Sequence, residues 1–153
     1  IEGETDNIKD LFETISIDLG YDINLHDGLI CNNSFSGSTL LTYIKVYHDS
    51  VKVYSMLYSD IADTILGLDV GCYKDLLINL KDNLLYSLFK DVQVRDIITV
   101  MLKNDLNVSQ SAKLLYMNRN SLINKLDYIY KETGLNIQKF THACVVYLML
   151  NLV

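Results

Sequence analysis

Apolar side chains recur at steps of three and four residues near the start of the chain, at Ile8, Leu11, Phe12, Ile15 and Leu19. That is the period of an amphipathic helix, with Thr5 or Asp6 placed to cap it and Gly20 placed to stop it. The texture changes from Tyr21 onward. Residues 28–31, 39–47 and 51–57 are short runs rich in Ile, Val, Thr, Tyr and Leu, and they predict strands. His48-Asp49-Ser50 then reads as a hairpin loop between the last two, and residues 32–38 as a polar loop before them. After Leu57 the helical period returns. Ser59 or Asp60 caps a short helix through Ile61, Ala62, Ile65 and Leu66 that closes near Gly67, and a longer helix is expected over residues 73–90. In that helix Leu77, Leu80, Leu84 and Leu88 lie near heptad positions, which suits either a dimer seam or packing onto the chain's own sheet unit.

The C-terminal third is the most informative. Residues 95–103 put Ile97, Ile98, Met101 and Leu102 on one face, and Asn104-Asp105-Leu106-Asn107 breaks the pattern with turn formers. Ser109 is a good N-cap for a short second helix, where the small Ala112 lets another helix cross closely. Tyr116-Met117-Asn118 makes a tight connection. Asn118 caps a third helix with Leu122, Leu126 and Ile129 on one stripe, and Gly134 offers a left-handed stop. A short helix, a turn of about three residues and a longer capped helix predict a helix-turn-helix. With Leu122 inward, Asn120, Ser121, Asn124, Asp127, Tyr128 and Lys131 face outward, with Arg119 at the helix start and Lys125 at the flank. Such a set suits a major groove, because Arg pairs bidentately with guanine and Asn with adenine, while Ser and Lys hold phosphates. Ser109 and Gln110 would offer backbone N–H groups and side chains to a phosphate, and Tyr116, Tyr128 and Tyr130 are further candidates for phosphate contact, Tyr130 being as well suited to packing.

Asn107-Val108-Ser109, Ala112, Leu115, Met117-Asn118-Arg119-Asn120-Ser121-Leu122, Lys125-Leu126, Ile129 and Thr133-Gly134-Leu135 resemble the C-terminal helix-turn-helix of the PucR/CdaR transcription regulators, itself similar to the DNA-binding end of Fis. The resemblance implies DNA-binding transcriptional regulation, usually as a dimer, with sensing done upstream. It matches Arg119 to the family's arginine at the start of the recognition helix and Ser121 to its Thr or Ser. Asn118 stands where members often carry His and Asn124 where they often carry Tyr, which bears on the sequence read more than on the activity.

Composition narrows the remaining classes. Half of the 153 residues are apolar and 21% are charged, with mean hydropathy +0.16, the balance of a globular domain rather than a membrane or fibrous protein. The apolar run at residues 143–153 falls short of the roughly 20 residues that span a bilayer, so it reads as a buried terminal helix, and no membrane partner is expected. The first residues lack the basic start and apolar core of a signal peptide, giving a cytoplasmic expectation, and Ile1 in place of Met points to a processed or excised end. Charge is split along the chain: six basic against 14 acidic side chains through Lys90, then seven against five. A polyanion is therefore tolerated best by the C-terminal part.

Cys31, Cys72 and Cys144 have no CxxC spacing, so neither a disulfide framework nor a zinc site is expected. His26, near Asp22, Asp27 and Cys31, reads as an ordinary surface histidine, His48 as unremarkable, and His142 as a cap or packing residue at the final helix. No phosphate-binding glycine loop, GxSxG or catalytic carboxylate pair occurs, so neither an enzyme nor a cofactor is expected.

The fold expected is an α+β N-terminal unit over residues 1–70, a small sheet with flanking helices and a GAF- or PAS-like texture, then a helical connector over 71–92 and an all-α helix-turn-helix domain over 93–153. The functional expectation is a DNA-binding regulator, acting on double-stranded DNA as a homodimer and modulated through its N-terminal unit, with an unknown small-molecule effector. Two alternatives stand beside it. One is a protein-interaction or dimerisation module whose helix-turn-helix does not bind DNA, and the other is a small-ligand sensor domain.

Overall fold

The computed structural model describes residues 2–28, 36–51, 58–68 and 73–151. Along the chain run α1 (Glu2–Leu19), β1 (Leu25–Asp27), α2 (Gly37–Val51), β2 (Tyr58–Asp60), α3 (Ile61–Leu66), α4 (Lys74–Phe89), α5 (Val92–Lys103), α6 (Val108–Leu114), α7 (Arg119–Thr133) and α8 (Phe140–Asn151). The chain is mostly helical, with one small parallel sheet in which Leu25, His26 and Asp27 pair with Tyr58, Ser59 and Asp60. No helix among the described residues is long and apolar enough to cross a membrane.

The largest departure from the sequence reading is α2. Residues 39–47 form a helix, not a strand, and His48-Asp49-Ser50 lie inside it rather than in a hairpin loop. Thr39, Tyr43 and Val46 are buried while Leu41, Ile44 and Lys45 are exposed, a period of 3.6 that an alternating strand does not produce. Ser36 fixes the helix start, its Oγ accepting from the Thr39 N–H at 3.1 Å and its carbonyl from the Leu40 N–H. The strand expected over 28–31 is not formed at Gly28, which lies beyond the end of β1, and residues 29–31 fall outside the described residues; so do residues 52–57, the bulk of the run read as a third strand. Cys31 and Cys72 also lie outside them. The described sheet is two three-residue strands linked in parallel through α2, and it does not show a GAF- or PAS-like unit.

Where local signals are strong, the elements sit as the sequence predicts. Asp60 caps α3 with a capping box: its carboxylate accepts from the Ala62 and Asp63 N–H groups, and Asp63 Oδ2 accepts from the Asp60 N–H at 3.0 Å. Gly20, at φ 66, stops α1. The helix α1 forms but runs from Glu2, so Thr5 and Asp6 lie inside it rather than at its start, and Ile8, Leu11 and Leu19 remain exposed on it. Its inner side meets the sheet through Lys9, whose Nζ lies 3.7 Å from the Tyr58 ring centroid.

One continuous hydrophobic core runs from Tyr43 and Val46 of α2 to Met149 of α8. Helix α4 lies at its centre, touching α2, α5, α7 and α8, with Leu77, Leu80, Leu84 and Leu88 all buried. The heptad-like leucines are thus core residues of this chain, which removes the dimer-seam reading of that face. Full burial of such a side chain contributes about 1.5–3 kcal/mol, so the row anchors everything packed on α4, α7 included.

Candidate nucleic-acid interface

Helix α5 ends at Asn104, and the chain reverses through Asp105 and Leu106, both with positive φ, while the Leu106 N–H reaches back to the Met101 carbonyl at 3.0 Å. That geometry makes Asn107 the cap of α6, its Oδ1 accepting from the Gln110 N–H at 3.0 Å. Ser109, expected to be the cap, sits inside the first turn of α6 with its side chain exposed. The Gln110 N–H is therefore taken by the cap rather than offered to a phosphate, although the Gln110 side chain is exposed. Ala112 is buried on a helix that packs against α7, in keeping with its small size.

The turn between α6 and α7 is closed by backbone. The Met117 N–H donates to the Ala112 carbonyl at 2.9 Å, and the Tyr116 N–H to that of Lys113 at 3.2 Å. Asn118 then caps α7, its Oδ1 accepting from the Asn120 N–H at 2.9 Å. Leu122, Leu126 and Ile129 are driven into the core. Gly134, at φ 73, ends the helix, and Thr133 Oγ1 donates to the Ile129 carbonyl and accepts from the Leu135 N–H.

With one side of α7 locked down, the other is open. Asn118, Arg119, Asn120, Ser121, Asn124 and Tyr128 are exposed and Lys125 is half-buried, so the predicted outward set shares one continuous surface of the helix. Tyr130 is half-buried. Between Leu106 and Leu126 the chain has no carboxylate, while Lys113, Arg119 and Lys125 fall within the same stretch. Asp127 is exposed at i+3 from Asn124, so the acid-free portion of the face is the N-terminal half of the helix. Sequence reasoning passed over Lys113, which is exposed on α6; the absence of acidic residues around it is the signal that finds it.

A family model described as the PucR C-terminal helix-turn-helix domain matches residues 94–152. Over these residues the chain is similar to the PucR-type helix-turn-helix domain. Neither the curated proteins nor the solved structures give a match. The PucR-type segment spans α5 to α8, and its last helix bears on the residues before it. His142 of α8 is buried, and its Nδ1 accepts from the Asn136 N–H at 3.0 Å, which places the proton of a neutral ring on Nε2. That nitrogen lies 2.8 Å from Oδ2 of Asp60, the α3 cap. Burial pushes the Asp60 carboxyl up, but the bond to His142 and the N–H groups of Asp63 and Ala62 outweigh it and hold it below the usual value.

A second histidine is also structural. His26 is half-buried rather than on the surface: its Nδ1 is 2.9 Å from Ser59 Oγ, its Nε2 is 2.8 Å from the Tyr43 hydroxyl, and its ring stacks on Tyr47 at 3.9 Å. Burial lowers its pKa, against the opposing pull of Asp27, Ser59, Asp60 and Asp63. His26 thus ties β1, β2 and α2 together.

Proposed function

We propose that this chain is a DNA-binding transcriptional regulator that lays the N-terminal half of α7 in the major groove. The observation that carries the reading is the two-sided character of α7: one stripe is fixed in the core, and the other presents an arginine, asparagines and a serine without a carboxylate until Asp127. In this reading Arg119, Asn120, Ser121 and Asn124 meet base edges, while Lys125, Tyr128, Asn118 and the side chains of Ser109 and Gln110 meet the phosphates beside them. Recognition helices place their N-terminal residues against the bases, in keeping with the acid-free half.

The regulator acts as a homodimer. One α7 with few cations binds weakly, and two half-sites about 34 Å apart convert the second contact into an intramolecular one. Modulation enters through the N-terminal unit, where a small-molecule effector would shift α4 and with it α7. The packing of α4 against both α2 and α7 supports such a route.

The test is selection of bound sequences from a random duplex pool with the full chain, run beside Arg119→Ala. Paired half-sites should be enriched, and the arginine variant should lose about 1–3 kcal/mol and relax preference at one position. Affinity should fall steeply as salt rises. Folded protein that enriches nothing would refute DNA binding and favour the interaction module, to which the acidic residues through Lys90 are suited.

A further inference from the structure

Three non-glycine residues among those described have left-handed backbone: Asp105 at φ 51, Leu106 at φ 60 and Tyr116 at φ 52. That region brings Cβ too close to the following carbonyl, and the cost has to be recovered elsewhere. Aspartate is among the side chains that tolerate it, and Leu106 packs against the core. Tyr116 has neither compensation, being 98% exposed at the tip of the turn between α6 and α7. The turn is closed by the backbone of Tyr116 and Met117, so the phenol is not needed to hold it. Glycine would satisfy the same geometry without strain. Tyrosine here detracts from the fold and returns nothing to it, and its position is suited to a role outside the molecule.

Its neighbours indicate which role. Lys113 lies three residues before Tyr116 and Arg119 three after, both exposed, within the stretch that has no carboxylate. We propose that Tyr116 is a backbone contact on duplex DNA, its hydroxyl donating to a phosphate oxygen and its ring lying against the adjoining sugar, so that it sets how α7 enters the groove. This rests on the DNA-binding reading. It adds a positioning residue at the turn, one that reads no base and fixes register on the strand.

Tyr116→Gly and Tyr116→Phe in the full chain, with wild type and Arg119→Ala alongside, test it by thermal unfolding and by titration with mixed-sequence duplex at low salt. Tyr116→Gly should raise the melting temperature by about 3 °C through relief of strain while weakening duplex binding about tenfold. Tyr116→Phe should leave the melting temperature unchanged and weaken binding several-fold, since it loses only the hydroxyl. The salt slope should stay at the wild-type value in both, because no charge is removed, whereas Lys113→Ala should lower it by about one. Wild-type affinity in the glycine variant would overturn the proposal, and so would a lower melting temperature, which would make the ring part of the fold. In either case a wild type that binds, with Arg119→Ala impaired, leaves the DNA reading standing. A folded wild type that binds no duplex overturns both.

Discussion

Asp60→Asn isolates the contact between the PucR-type segment and the residues before it. The Asn136 N–H fixes His142 Nδ1 as an acceptor, so Nε2 must donate and only an oxygen can face it. Asparagine caps helices about as well as aspartate. Here, however, its amide has one oxygen for two tasks: turned toward Ala62 and Asp63, it points its NH2 at the His142 N–H, and turned the other way it points NH2 at the cap donors. Flipping the histidine tautomer moves the clash to Asn136. The Asp60 side chain is only 17% exposed, so water does little to relieve it. Loss of a hydrogen bond to a charged partner at such a site costs about 1.5–3 kcal/mol. Urea unfolding followed by circular dichroism should show that loss at neutral pH. The carboxyl is held below its ordinary value in the folded chain, so its contribution is present above the unfolded value of about 3.9 and is lost as pH falls through the folded one. The two proteins should therefore converge only in acid. A difference under about 0.5 kcal/mol at neutral pH, or one that persists unchanged in acid, would refute the assigned bond and tautomer.

The lowered pKa of His26 gives stability that is complete above about 6.5 and declines as pH falls from there toward the folded value; His26→Gln should flatten that part of the profile, and an unchanged slope would contradict the buried neutral ring. Leu84→Ala should lower stability by about 2–5 kcal/mol at every protein concentration, since the side chain is in the chain's own core; a loss that depended on concentration would restore the seam reading. Ser111 Oγ is buried without a hydrogen-bond partner among the described residues, so Ser111→Ala should stabilise the protein by about 1 kcal/mol in the same urea assay, and a destabilised variant would show that the hydroxyl is satisfied.

The parts of this structure that could be read along the chain are those whose cause is local. Asp60, Asn118, Gly20 and Gly134 act within one helical turn, and each was legible from its neighbours. Residues 39–47 misled because β-branched and aromatic content pointed to a strand, while the stripe of Thr39, Tyr43 and Val46 and the Ser36 cap carried the helix; period outranked composition. Ser109 lost the cap to Asn107 because Asp105 and Leu106 take left-handed backbone, a choice that the order of residues does not display. The spacing of the α4 leucines is the same for a seam and for a core, so only packing decided between them. His26 and His142 find partners across the fold, Ser59 being 33 residues from the first and Asp60 82 from the second, beyond any local pattern.

That long-range pair bears on how the proposed regulator could be controlled. Helix α8 belongs to the matched segment, yet it packs on α3 and hydrogen-bonds to its cap, while α4 lies against α2 on one side and α7 on another. The apolar core is continuous across these contacts, and close-packed cores shift between discrete arrangements rather than bending smoothly. A signal at the sheet would therefore reach α7 by carrying α3, α4 and α8 with it, not by flexing the turn at Tyr116. In a dimer, such a movement changes the separation of two recognition helices without altering either one. Control should then appear as a changed preference for half-site spacing, with the bases read within each half-site unchanged.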